Sequence, residues 1–97
     1  MEIKKIERNK TMKIDTENNA VLLTYSVKIL ASIKNKDIEF SNSLSKQIII
    51  EYDIKDIANI EHRMYELERE IEQYIENVKK FINDIEFISE NHGYEIS

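Results

Sequence analysis

The chain has 97 residues, with 14 Lys/Arg against 19 Asp/Glu for a net charge of −5, a single glycine, no proline and no cysteine. That length makes one domain, 1–97, with a modest core, and self-association is a common way for such a chain to bury more apolar area. The missing cysteine excludes a disulfide framework and a thiolate metal site, and the scarcity of Gly and Pro excludes a linker-rich or disordered chain.

Residues 1–13 alternate charges with isolated apolar side chains and lack the apolar stretch of a signal peptide. No run approaches the roughly 20 apolar residues of a membrane span. The expectation is a soluble cytoplasmic protein with no membrane partner. Its charge is unevenly spread. Residues 1–55 carry ten Lys/Arg against eight Asp/Glu, and residues 56–97 carry four against eleven.

From Glu2 to Ile14, Ile6, Met12 and Ile14 share one parity, which predicts a first strand with a weak pattern. Asp15-Thr16-Glu17-Asn18-Asn19 is a loop signal. A meander then places Ile14 opposite Val21, Met12 near Leu23 and Ile6 near Ile29. Between Ala20 and Lys34 the apolar residues Val21, Leu23, Tyr25, Val27, Ile29, Ala31 and Ile33 all fall on odd numbers, the mark of a half-buried strand. The next segment moves to even numbers: Ile38, Phe40, Leu44, Ile48, Ile50, Tyr52 and Ile54. A two-residue turn at Asn35-Lys36 makes paired residues sum to 71. It sets Ile33 against Ile38, Leu22 against Ile49, and Lys34 against Asp37. Ser41-Asn42-Ser43 breaks the alternation and predicts a bulge or a short loop.

Asp53, with Asp56 three residues on, predicts the start of a helix. Ile57, Ile60, Met64, Leu67, Ile71, Tyr74, Val78, Phe81, Ile85 and Ile88 then recur at spacings of 3 and 4, an a/d heptad stripe. Ile75 and Ile82 widen the stripe in its second half. Asn91-His92-Gly93 supplies the stop. The fold class is therefore α+β: a three-stranded antiparallel β-meander (1–53), one long C-terminal heptad-patterned helix (54–91) and a short, loosely held tail (92–97). A narrow seam suits a partner helix, so Ile57, Ile60, Met64, Leu67, Ile71 and Tyr74 are the expected oligomer interface. The lengths also allow the whole helix to lie across its own sheet.

Chemistry-bearing patterns are sparse. His62 falls at an f position near Glu61 and Glu66, where a solvated surface residue is the ordinary reading because a metal site needs three or four convergent ligands. His92 sits at a helix end. The carboxylates from Glu66 to Glu76 spread around the helix, and no Gly-rich phosphate loop exists. No metal, no cofactor and no enzymatic activity are expected.

Two surfaces remain. One is the acidic helix exterior, with Glu66, Glu70 and Glu76 as expected partner contacts, and Leu22 and Ile49 on the sheet's other face as a second contact. The other is the basic first strand, with Lys4, Lys5, Arg8, Lys10 and Lys13. Tyr25, Phe40 and Tyr52 fall in the core-facing parity, so the strand lacks a stacking platform for bases. Short, acidic, cysteine-free and motif-free chains are the sort that phages and mobile elements use to block host proteins, anti-CRISPR inhibitors included. The expected function is a non-catalytic, homo-oligomeric protein-binding module that presents an acidic helix surface to a nucleic-acid-handling protein. The alternatives are a single-stranded nucleic-acid-binding protein using the basic strands, or a structural assembly subunit.

Overall fold

The computed structural model describes residues 2–97; Met1 lies outside them. Three strands, β1 (Glu2–Asp15), β2 (Ala20–Ile33) and β3 (Lys36–Ile49), form an antiparallel sheet in the order β1-β2-β3, and one helix, α1 (Lys55–His92), follows. The α+β meander-plus-helix architecture is as the patterning predicts. The helix lies along the sheet, over β2 and β3. The result is a two-layer rod of 60 × 17 × 17 Å.

The β1–β2 register is the expected one, with Ile14 opposite Val21, Met12 opposite Leu23 and Ile6 opposite Ile29. A shift between Ile3 and Lys5 leaves Lys4 as an extra residue, a bulge near the strand start. The β2–β3 register differs from expectation. Paired residues sum to 69, with Ala31 opposite Ile38, Ile29 opposite Phe40 and Val21 opposite Ile48. Lys34 (φ 48°) and Asn35 (φ 66°) are the turn residues, and two left-handed residues in succession are the type I′ pattern. Leu22 therefore faces Gln47, Ile49 faces Ala20, and Asp37 faces Ser32 instead of Lys34. A shift of two residues keeps every side chain on its face, so alternation cannot choose between the registers. On the outer face the observed register pairs hydroxyls: Thr24 with Ser45 at 3.0 Å and Ser26 with Ser43 at 2.9 Å.

No bulge occurs at residues 41–43, where β3 runs straight through. Asn42 interrupts the apolar row to serve its own strand. Its Oδ1 accepts the Ser43 N–H at 2.9 Å, and the Tyr74 hydroxyl donates to the Ser41 carbonyl at 3.2 Å. Two edge groups of β3, the Ser43 N–H and the Ser41 carbonyl, are thereby satisfied without a fourth strand. The strand ends at Ile49, and Tyr52, expected to face the core, is an exposed loop residue with φ 57°.

The start of α1 is a reciprocal cap. Asp53 Oδ1 accepts the Lys55 N–H at 3.0 Å, while Asp56 reaches back to the N–H groups of Asp53 (3.0 Å) and Glu51 (3.2 Å). At the other end Gly93 is left-handed (φ 73°), and the Tyr94 N–H reaches the Ser89 carbonyl at 3.0 Å, as in a Schellman motif. The tail is held more closely than expected, because Ile96 packs against the core.

Leu67, Ile71, Ile75, Val78, Ile82 and Ser89 are the buried residues along the body of α1. They meet the inner row of β2, which is buried at every odd position from Val21 to Ile33. Leu67 and Ile71, expected between chains, thus lie in the chain's own core. The buried spacings of 4, 4, 3, 4 and 7 follow a straight helix near 3.6 residues per turn. A strict heptad stripe drifts by about 20° per repeat on such a helix. That drift carries Tyr74, Phe81 and Ile88 toward the β3 side, where Phe81 meets Phe40 edge-on at 6.1 Å. It also brings Ile75 and Ile82 into the centre. Replacing buried Ile75 with Ala should therefore destabilise the protein by about 2–5 kcal/mol, and Ile88→Ala by less than about 1 kcal/mol. Urea denaturation checks the order, which a coiled-coil seam along the a/d stripe would reverse.

Candidate interaction surfaces

The acidic helix and the basic strand, expected as two separate surfaces, meet each other. Arg8, Lys10 and Lys46 stand at inner-face positions of β1 and β3 and reach over to α1. Arg8 grips Glu72 with two bonds of 3.0 and 3.3 Å, and Lys10 reaches Glu68 at 2.8 Å while lying 5.0 Å from the Tyr25 ring centre. On the opposite flank Lys46 lies 3.3 Å from both Glu66 and Glu70. Glu66 also takes Arg63 at 3.0 Å and His62 at 2.8 Å. The residues of α1 carry five Lys/Arg and ten Asp/Glu, a net of −5, and the three strand cations reduce this to −2. Glu66 and Glu70 are therefore clamps between helix and sheet. Glu76 is exposed and pairs with Lys79 on its own helix at 3.3 Å. The basic strand is occupied too, since Lys4 binds Asp37 at 2.8 Å and Lys5 binds Glu7 at 2.6 Å. Charged residues at inner-face parity in Arg8, Lys10 and Lys46 were the sequence signal for this arrangement.

Both flanks of the clamp shift proton affinities. Arg63, and after it Lys46, hold the Glu66 carboxyl below its ordinary value of 4.5. Hydrogen bonding to Glu66 and then to Glu70 holds the Lys46 ammonium above its ordinary 10.5, and Glu68 does the same for Lys10.

The apolar surface is concentrated at one end. Among the described residues twelve large apolar side chains are exposed, and seven of them, Met12, Ile14, Leu22, Ile49, Tyr52, Ile54 and Ile57, belong to the tip formed by the β1–β2 turn and the β3–α1 connection. The tip is firmly built. Asn19 joins its two connections, its carbonyl taking the Ile50 N–H at 2.7 Å and its side chain the Tyr52 hydroxyl at 2.9 Å. Buried Asp56 ties the second connection to the helix start. Leu22 and Ile49, expected to face each other, are diagonal neighbours there. Of the expected interface residues, Ile57 is exposed and Ile60, Met64 and Tyr74 are half-buried. Met12 and Ile14 join them, although parity assigned both to the core.

The outer sheet face carries a shallow depression of about 640 Å³ lined by Glu7, Asn9, Ser26, Lys28, Ser41 and Ser43. Small hydroxyl side chains at its centre leave the space. Among the described residues no three His, Cys, Asp or Glu gather as metal ligands, and no helix is long and apolar enough to cross a membrane.

Two outcomes follow from the clamp. The depressed carboxyl of Glu66 contributes stability that is present above its ordinary value and lost as pH falls through its folded value. The raised Lys46 and Lys10 contribute stability that is complete below their ordinary value and lost as pH rises through their folded values. Thermal melting across pH should show a plateau between about pH 5 and pH 10. Its acid limb should be shallower in Glu66→Gln and flattened by high salt. Second, Glu66→Lys with Glu70→Lys sets like charges against Lys46 and should lower the melting temperature by a few °C, while Glu76→Lys leaves it nearly unchanged. Comparison of the chain with protein-family models, with curated proteins and with solved structures finds no match.

Proposed function

We propose that this chain is a non-catalytic binding protein that acts as a homo-oligomer, its rods joined at the apolar tip and their remaining faces open to another protein. The observation that carries the reading is its surface. The chain exposes 7106 Å², against about 5,800 Å² for a compact monomer of its 11.6 kDa mass. The excess of about 1,300 Å² is larger than the roughly 800 Å² that each partner contributes to a standard interface. Its origin is the shape: the radius of gyration is 18.4 Å, where a compact chain of this length has about 13 Å. Seven exposed apolar side chains crowded on a hydrogen-bonded tip support an interface there.

The open faces suit a protein partner better than a nucleic acid, because Arg8, Lys10 and Lys46 are engaged by the helix acids. Exposed Glu61, Glu76, Asp84 and Glu90 are the acidic contacts that would meet a basic groove on a nucleic-acid-handling protein. This is a narrower acidic surface than the charge count alone suggests, and it fits a small inhibitor of the anti-CRISPR kind. Sedimentation equilibrium from about 1 to about 100 µM should show a mass that is a multiple of 11.6 kDa. A single-chain mass throughout that range would overturn the reading.

A further inference from the structure

We infer that Asn42 and Tyr74 form a lock on the open edge of β3, which keeps that strand from pairing with the β3 of a second copy of this chain. The lock is separate from the apolar tip and does not depend on what the tip binds. β3 is an edge strand of 14 residues, without proline and with an unbroken ladder to β2. The other edge strand, β1, has a bulge at Lys4 and carries Lys4, Lys5, Arg8, Lys10 and Lys13, features that discourage edge-to-edge pairing. On β3 the stretch from Phe40 to Ser45 holds no charge.

Residues beside a two-residue turn exchange both backbone bonds, and the ladder alternates from there. With Ile33 and Lys36 flanking the turn, even-numbered residues of β3 bond to β2, and odd-numbered ones turn their N–H and C=O to the open edge. A second β3 laid antiparallel along that edge, with the twofold axis at Asn42, sets Ser41 against Ser43, Phe40 against Leu44, Glu39 against Ser45 and Asp37 against Gln47. This register keeps both faces of the sheet and places no like charges opposite each other. The helices do not oppose it. Because α1 lies over β2 and β3, two copies joined at β3 carry their helices about 10 Å apart, an ordinary packing distance.

Half of the central bonds in that register run from a Ser43 N–H to the Ser41 carbonyl of the other copy. Those two groups are the ones already engaged, by the Asn42 Oδ1 at 2.9 Å and by the Tyr74 hydroxyl at 3.2 Å. Pairing must therefore break the Asn42 bond and displace or share the Tyr74 hydroxyl. The lock sits at the centre of the one edge that charge and bulges leave unprotected.

The test removes the lock and keeps the packing. At equal concentration Asn42→Val/Tyr74→Phe, with unchanged circular dichroism, should have a larger mass by light scattering than the wild type, its association at least about 10-fold tighter for the backbone groups set free. Adding Ser43→Pro removes an N–H that points away from β2 and should restore the wild-type mass. The chain has no cysteine, so single cysteines report the register directly. Residue 42 meets its own copy at a non-hydrogen-bonded position, with Cα atoms about 4.5 Å apart, within disulfide reach. On the Tyr74→Phe background Asn42→Cys should therefore form a disulfide-linked pair of chains much faster than Ser45→Cys, which lies opposite Glu39. This measurement serves even if the Asn42→Val variant fails to fold. An unlocked variant of wild-type mass, a larger mass that Ser43→Pro leaves unchanged, or equal cross-linking at residues 42 and 45 would each overturn the lock. None of these outcomes bears on association through the tip.

Discussion

The structure depends on one contact, the inner row of β2 against the buried stripe of α1. The odd-numbered residues of β2 from Val21 to Ile33 are all buried, and they are covered by Leu67, Ile71, Ile75, Val78 and Ile82. Each fully buried aliphatic side chain contributes about 1.5–3 kcal/mol relative to exposure, so this row outweighs every polar contact in the molecule. Because β2 is the central strand, its two neighbours can pair with it and leave only one face to be covered. A helix of 38 residues spans about 57 Å, enough to run the length of 14-residue strands spanning about 46 Å. One helix therefore suffices for β2, and its width does not suffice for β1.

Charge pairs flank the helix on both sides of its seat. An α-helix on a twisted sheet can slide and roll over an apolar row, because dispersion contacts are weakly directional. Arg8 and Lys10 on one flank and Lys46 on the other are long enough to reach its sides, and each finds a glutamate. Exposed pairs of this sort add little stability, but pairs on both flanks oppose rotation in either direction. The same pairing changes the functional reading. Cations and acids that look like two binding surfaces in the sequence are mostly consumed within the molecule, and what remains most unusual about its exterior is apolar.

That exterior follows from having two layers and no third. In larger α+β domains more helices cover such a sheet. Here the outer face is handled with small hydroxyl residues, Thr24, Ser26, Ser43 and Ser45, which bond to each other across the ladder. At the middle of the β3 edge, Asn42 and Tyr74 each bond one backbone group. The tip receives neither treatment. It is ordered by Asn19 and Asp56 and still displays isoleucine and methionine to solvent. A hydrogen-bonded frame thus lies directly under exposed apolar side chains.

The sequence by itself determined the number and kind of elements, the faces of all three strands and the β1–β2 register, because periods of 2 and of 3 to 4 residues report directly on which side chains leave water. It also located both helix ends, through Asp53 with Asp56 and through Gly93, since capping is a local interaction. Tertiary structure decided the rest. The β2–β3 register turned on hydroxyl pairs and a left-handed Lys34-Asn35 turn, features that a two-residue slip leaves invisible to hydrophobic alternation. The heptad stripe of α1 was legible, but its partner was not, because an apolar seam is equally satisfied by a second helix or by a sheet of matching length. The available sheet lay in the same chain, and contacts within a chain carry none of the translational entropy cost of association. The straight helix then drifted across it, burying Ile75 and Ile82 and leaving Ile57 exposed at the tip.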